Sequence, residues 1–291
     1  STDWLGFDDG KRDIPATTDI PLFSEVVGNP DGAKGQRYQE ILRSFDPVMG
    51  SFKERSFMDY SLGASAGDQY VLKKITLGFN VALSYKSNTE FYDAEYGKYG
   101  MFSDPSNYEA DTREKQVGNY GVQNVLISGL VGFAIKTQKS KIRINLLKLQ
   151  NGESKAGEFD FSKSNQGSVF SGIQHNLEYN QRSMTNLLIN GKHFFKGWDI
   201  NWKISPTISS IEDPDVRFTR YEVRDGAYSI STESGFPERI WRDLKERNLS
   251  GVLHVTKDLT VFKEKSKLNF GGGYTFKERD FSILNYSINI R

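Results

Sequence analysis

The chain has 291 residues, of which 37% are hydrophobic, 13% aromatic and 26% charged, and it contains no cysteine. This is enough apolar surface for a folded chain, and the lack of cysteine excludes a disulfide scaffold and a thiolate metal site. The 38 basic and 37 acidic residues leave a formal charge of +1, so we expect no nucleic-acid partner. No apolar run is long enough for a membrane-spanning helix, whereas the weak hydropathy pattern of a membrane β-barrel remains compatible with the sequence.

The first 51 residues contain many Gly and Pro residues and predict a loop-rich start. From residue 52 onward, apolar and polar residues alternate with a period of two, which is typical of β-strands. In the clearest case, the apolar residues from Ile75 to Tyr85 alternate with small and polar ones, a spacing unsuited to a helix. The pattern predicts about eight strands, at roughly 52–64, 71–86, 119–136, 141–149, 169–195, 198–211, 247–258 and 266–290.

The connections between the predicted strands alternate in length. Short ones are expected at 65–70, 137–140, 196–197 and 259–265, and long ones at 87–118, 150–167 and 212–246. Up-and-down membrane barrels have this asymmetry, with tight periplasmic turns and long extracellular loops. Two predicted strands of roughly 23 residues also exceed the 9 to 11 that cross a bilayer, so we expect them to project beyond it. The sequence therefore predicts an all-β, antiparallel up-and-down transmembrane β-barrel segment.

Two groups of residues are candidates for contacts with a transported molecule. The polar side of the alternation is expected to face the lumen, and it includes Lys74, Asn80, Asn124, Asp199, Asn201 and Lys203. The long loops offer aromatic and basic residues for ligand binding, namely Tyr92, Tyr96, Tyr99, Tyr108, Arg217, Tyr221, Trp241 and Arg242. An interfacial aromatic girdle and a solvated charge network are the alternative interpretations of the loop residues.

The sequence shows no motif for catalysis or for a cofactor. His175, His193 and His254 are too far apart along extended strands for the sequence to indicate a metal site. The glycines at 271–273 are followed by strand residues, not by the Lys-Ser/Thr of a phosphate-binding loop. We therefore predict that the chain is not an enzyme and has no cofactor and no bound metal.

Seven short motifs follow one another in order along the chain. They are DWLGFDDGKRDIP at 3–15 and further motifs at 147–154, 177–182, 191–193, 199–203, 212–217 and 241–244. Together they resemble barrel segments of TonB-dependent receptors of the Bacteroidota outer membrane. The resemblance implies a plugged barrel of about 22 strands that imports a bound substrate across the outer membrane with force supplied through TonB. It also implies outer-membrane lipid as the surroundings, with a surface lipoprotein as a further candidate partner.

The chain departs from that family pattern, since neither a plug domain nor a TonB-contacting segment is recognisable in it. We expect residues 1–291 to form a single barrel region that contributes one part of such a transporter, with TonB acting through a plug outside this chain. Two alternatives stay open. One is a complete eight-stranded outer-membrane barrel that serves as a surface anchor or adhesin, and the other is a soluble all-β ligand-binding module.

Overall fold

The computed structural model describes residues 1–101, 106, 108–165, 168–230, 235 and 237–287. The fold is all-β. The strands are β1 (Tyr60–Leu72), β2 (Ile75–Met101), β3 (Ala110–Lys136), β4 (Ser140–Asn165), β5 (Ser168–Phe195), β6 (Trp198–Arg224), β7 (Ala227–Ser229), β8 (Glu238–Val261) and β9 (Glu264–Ser287). A 3-10 turn at Asp3–Leu5 and the helices α1 (Phe23–Val26) and α2 (Ala33–Ser44) precede them. No helix in the described part of the chain is both long and apolar enough to span a membrane.

The strands form one antiparallel sheet in the order β1-β2-β3-β4-β5-β6-β8-β9, with the short β7 paired to β6. The predicted all-β, antiparallel up-and-down fold is therefore confirmed. Each long strand pairs with the next long strand along the chain, so the sheet is a meander. Within the described residues β1 pairs only with β2 and β9 only with β8, which leaves the sheet open at both edges.

Four short turns lie at one end of the sheet, which we call the turn end. The turns predicted at 137–140 and 196–197 are confirmed, and the one predicted at 259–265 narrows to Phe262–Lys263. The first turn was predicted wrongly at 65–70, which lies inside β1, and it occurs at Lys73–Lys74. Positive φ angles of 47° and 76° at Lys196 and Gly197 match the twist of two-residue hairpins. The other connections meet at the opposite end, the far end.

The predicted long loops are wrong over most of their length, because the strands continue through them. β2 runs to Met101 and β3 starts at Ala110, and β4 and β5 together leave only residues 166–167 between them. The segment predicted as a loop over 212–246 contains the end of β6, all of β7 and the start of β8. The ladder of backbone hydrogen bonds continues although the apolar alternation stops. The first strand, predicted to start near residue 52, starts at Tyr60. The end of the last predicted strand, 288–290, lies outside the described residues.

The register gives the turn-end half of the sheet one apolar face and one polar face. The apolar side chains align across neighbouring strands as an apolar band formed by Leu77, Val81, Leu83, Phe133, Ile135, Ile144, Leu146, Leu187, Ile189, Trp198, Trp202, Ile204, Leu253 and Phe270. Many of them are exposed, including Leu83 at 61% and Phe133 at 57%. An exposed apolar surface of this extent marks an interaction with lipid or protein.

Residues 1–59, here called the strap, cover the far half of the same face. The 3-10 turn of the strap packs against β3 and β4. Val125, Tyr179 and Trp241 are among the most buried apolar side chains of the sheet, and they lie on the face that the strap covers. The apolar face is thus divided into an exposed band near the turns and a covered region beyond it.

Candidate functional site

The opening motif of the strap is held to the sheet by a set of polar contacts. The guanidinium of Arg12 donates to Asp3 over 2.9 and 2.8 Å and to Asp8 over 2.7 Å, and it lies 4.3 Å above the ring of Tyr179. The carbonyl of Arg12 accepts a hydrogen bond of 2.7 Å from Nε1 of Trp241. Arg12 therefore organises the strap internally and also fixes it to β5 and β8.

Two side chains of the central strands complete this docking. Nε2 of Gln150 donates to the carbonyl of Gly6 over 2.6 Å, and Oε1 of Gln181 accepts from the N–H of Asp8 over 2.7 Å. Gly6 has a φ of 73° and its Cα would lie 2.5 Å from a Cβ placed on Gly152. This approach requires glycine at position 152, since any side chain there would meet the backbone of the strap.

A buried ion cluster holds the later part of the strap. Asp215 accepts hydrogen bonds from Nε of Arg217 (3.0 Å) and from Nε of Arg239 (2.7 Å). Arg217 also bonds Asp46 over 2.9 Å, and Nη1 of Arg239 donates to the carbonyl of Asp46 over 2.8 Å. The side chains of Arg217, Asp215 and Arg239 are 7%, 2% and 3% exposed. Buried charges of this kind require complete pairing, and here the strap supplies part of it.

The ionisation of the strap carboxylates favours the docked arrangement. Burial acts to raise the pKa of Asp46, but the N–H of Val48 and the guanidinium groups of Arg217 and Arg239 outweigh it and lower that pKa. Burial likewise opposes ionisation of Asp3, and the hydrogen bonds and charge of Arg12 lower its pKa all the same. Both carboxylates therefore favour the docked strap in their charged form.

The polar face carries a second cluster at the far end, here called the aromatic–amide cluster, formed by Tyr120, Phe159, Gln174, Asn176 and Arg220. Nδ2 of Asn176 donates to the hydroxyl of Tyr120 over 2.7 Å, and Nε of Arg220 donates to Oε1 of Gln174 over 2.6 Å. The rings of Tyr120 and Phe159 pack edge to face at 4.8 Å.

This cluster joins strands that are not neighbours. Asn176 on β5 reaches Tyr120 on β3, and Arg220 on β6 comes within 3.5 Å of Glu114 on β3. Side chains two and three strands apart meet only where a sheet curves toward them, so the polar face is the inner side of the curve here. Gln174 and Asn176 are 6% and 5% exposed, which makes the cluster a rigid support for the side chains around it.

The predicted ligand-binding residues lie on strands, apart from Tyr108, and they are divided between the two faces. Tyr92 is 41% exposed and packs 5.8 Å from Tyr120 beside the aromatic–amide cluster. Arg242 forms an ion pair with Asp213 at 2.8 Å on the same polar face. Tyr96 and Tyr99 lie further along β2 and are 54% and 59% exposed, and Tyr108 is 96% exposed in irregular structure.

Three other predicted ligand-binding residues lie on the strap side. Arg217 and Trp241 are buried there and bind strap residues. Tyr221 packs edge to face with His175 at 6.0 Å, and the Nδ1 of His175 accepts from the N–H of Ser51 over 3.3 Å. Local sequence patterns did not indicate this role, because the partners lie more than a hundred residues away along the chain.

Five of the six residues predicted to face the lumen share the polar face. The register aligns Asn80, Asn124, Asp199, Asn201 and Lys203 on the side opposite the strap. Asp199 pairs with Lys192 over 3.0 Å and accepts from Nδ2 of Asn201 over 2.9 Å. The sixth, Lys74, lies in the turn between β1 and β2 and not on either face.

A cavity of about 690 Å³ lies between residues 51–57 of the strap and strands β2 to β4, lined on the sheet side by Thr89, Asn119, Ser154 and Glu158. In the part of the chain that the structure describes, no group of three or more His, Asp or Glu side chains is placed to hold a metal ion. No protein-family model matches this sequence, and no curated protein matches it.

Proposed function

We propose that the chain is part of an outer-membrane, TonB-dependent transporter and contributes a contiguous arc of its barrel wall. The observation that carries the proposal is the exposed apolar band opposite a polar face. On β2 the band extends from Ile75 to Leu83, eight residue steps that cover about 27 Å along the strand. At the tilt of about 35–45° found in such barrels, this length corresponds to about 19–22 Å of depth, which is most of the roughly 25 Å apolar belt of outer-membrane proteins.

The polar face supports a lumen-facing role in this proposal. Charged and amide side chains occupy it along the same residues whose neighbours form the apolar band, including Asn80, Asp199, Asn201 and Lys203. At the far end the aromatic–amide cluster supports the exposed Tyr92 on the same inner face. A polar wall with aromatic contacts suits the passage of a hydrophilic substrate.

The open edges favour a transporter segment over the alternative of a small closed barrel. β1 is exposed along its whole length, and within the described residues neither β1 nor β9 has a second partner. Unpaired edges of this length leave backbone groups that further strands, of the same barrel or of a second copy of the chain, would satisfy in lipid. Strands from the rest of a larger barrel would supply them.

The transport proposal is tested by comparing the phenotypes of two bacterial strains. The chain would be located by fractionation with an antibody against strap residues 1–59, and growth would be scored on a panel of single nutrient sources. We expect the antigen in the outer membrane, and we expect deletion of this gene to impair growth on a nutrient whose use also fails when TonB is deleted. Antigen in the soluble fraction, or a growth defect that TonB deletion does not reproduce, would contradict the proposal.

A further inference from the structure

Aromatic residues from the strap and from the first two strands meet at the border of the apolar band. This rim cluster consists of Trp4, Phe57, Tyr60 and Tyr85. The hydroxyl of Tyr85 donates to the carbonyl of Trp4 over 2.8 Å, the rings of Tyr60 and Tyr85 stack at 5.6 Å, and Phe57 packs edge to face on Tyr60 at 6.0 Å. The cluster therefore links the strap to the sheet where the band ends.

Most of the rim cluster is open to the surroundings. Trp4 is 61% exposed and Phe57 73%, whereas a tryptophan of the same face, Trp241, is only 7% exposed beneath the strap. Exposed aromatic side chains of this size lose favourable burial unless a partner covers them. The partner must accept apolar rings together with the hydroxyl and indole N–H groups at their edges.

The position of the rim cluster matches one boundary of the apolar band. Leu83, 61% exposed, precedes Tyr85 by two residues on β2 and lies on the same face. The ten residue steps from Ile75 at the turn end to Tyr85 cover about 34 Å along the strand. At a tilt of about 45° this corresponds to about 24 Å of depth, close to the thickness of the apolar belt of outer-membrane barrels.

The ionic groups next to Trp4 in the strap are paired with one another. Asp3, the neighbour of Trp4, is paired with Arg12 through two hydrogen bonds, and Asp8, the neighbour of Phe7, is paired with the same guanidinium. The side chains of Asp3, Asp8 and Arg12 are 26%, 12% and 23% exposed. Beside Trp4 the strap thus keeps its ionic groups paired with one another, which lowers the cost of a contact with lipid at this point.

We infer that the strap is a membrane-interface anchor, in which Trp4 and the rest of the rim cluster insert at the boundary between headgroups and acyl chains on the far side of the bilayer. The inference rests on the proposed function, because it takes the apolar band to lie in lipid. Tryptophan and tyrosine favour this boundary, where one part of the ring is apolar and the other is hydrated. The anchor would hold the strap against the barrel wall at its lipid-facing side.

The four tryptophans of the chain allow a direct test. The 291-residue chain is refolded into phosphatidylcholine vesicles whose acyl chains carry bromine, a quencher of indole fluorescence, either near the headgroup or near the chain end. The variant W198F/W202F keeps Trp4 and Trp241, the variant W4F/W198F/W202F keeps Trp241 alone, and W4F keeps the two band tryptophans with Trp241. A strand-type circular dichroism spectrum is required of each variant.

We expect bromine near the headgroup to quench W198F/W202F strongly, and we expect that quenching to disappear when Trp4→Phe is added. Trp241, under the strap, should retain its emission in all vesicles. If W198F/W202F and the triple variant lose the same fraction of emission while W4F is quenched, the band lies in lipid, the anchor is refuted and the proposed function stands. If W4F is not quenched either, the apolar band does not face lipid and the proposed function fails as well.

Other occupants of the rim cluster give a different result. If Trp4 is shielded from iodide in the aqueous phase but is not quenched by either lipid, a protein surface or a second copy of the chain covers it. That outcome overturns the anchor. A comparison of the iodide and bromine data on W198F/W202F therefore decides between lipid and protein contact.

Discussion

Asp215 lies at an irregularity of the β6–β8 pairing, has a φ of 58° and brings together two buried guanidinium groups. Asparagine adopts the left-handed conformation about as readily as aspartate, so the backbone at this position tolerates the exchange. The charge has no substitute except Asp46, which bonds only one of the two arginines through its carboxylate. The stability of this part of the fold should therefore depend on the charge and not on the shape of residue 215.

We predict that Asp215→Asn lowers the free energy of unfolding by about 3–5 kcal/mol, because it leaves Arg217 and Arg239 buried with incomplete pairing. Asp225→Asn is the matched control, since Asp225 has a φ of 51° but is exposed in a turn. Urea unfolding in detergent micelles measures the free energy of unfolding of both variants. Equal stability of the two variants would show that the ion cluster contributes little.

The docking of the strap depends on a close approach between two backbones. An added Cβ at Gly152 would lie 2.5 Å from Cα of Gly6 and 2.7 Å from the hydroxyl of Tyr179. Gly121 lies on β3, on the same face of the sheet as Gly152 on β4, and a Cβ placed there would meet nothing within 4 Å. Comparing alanine substitutions at these two glycines therefore separates the effect of the strap contact on docking from the general effect of adding a methyl group to a strand.

We predict that Gly152→Ala displaces the start of the strap at a cost of about 1–3 kcal/mol, which corresponds to an increase of roughly five- to 150-fold in its undocked population. Trypsin cleavage after Arg12 measures that population, because the carbonyl of Arg12 is bound to Trp241 when the strap is docked. Gly121→Ala should be cleaved at the original rate. A Gly152→Ala chain as resistant as the original would show that the strap does not depend on this contact.

Among the secondary-structure elements, the bounds of a strand could be predicted from the sequence where one of its faces is apolar. They could not be predicted where neither face is. The alternation from Ile75 to Tyr85 predicted where β2 lies and which of its residues share a face of the sheet. The register confirms that Asn80 lies on the face opposite the apolar side chains. Beyond residue 87 the strand continues with polar and aromatic residues on both sides, so no period of two remains and the sequence resembles a loop. Backbone pairing extends such strands without a hydrophobic signal.

For the whole molecule, the meander order follows from the alternation of tight turns, but the placement of the strap does not. The predicted roles of Arg217 and Trp241 as loop residues for ligand binding rested on their residue types. The structure instead pairs them with Asp46 and Arg12, at separations of 171 and 229 residues. Contacts at such distances leave no trace in a local pattern, so only the assembled sheet makes them visible.

These separations have a consequence for the order of folding. Residues of the strap are synthesised first, yet Asp8, Arg12 and Ala16 bind partners 173, 229 and 270 residues later in the chain. Closing such loops costs entropy that is recovered only after the intervening hairpins exist, so the strap should be the last element to become structured. In pulse-labelled hydrogen exchange during refolding, amides of β3 and β4 should gain protection before those of residues 3–13. Simultaneous protection would indicate that the strap guides the sheet instead of closing over it.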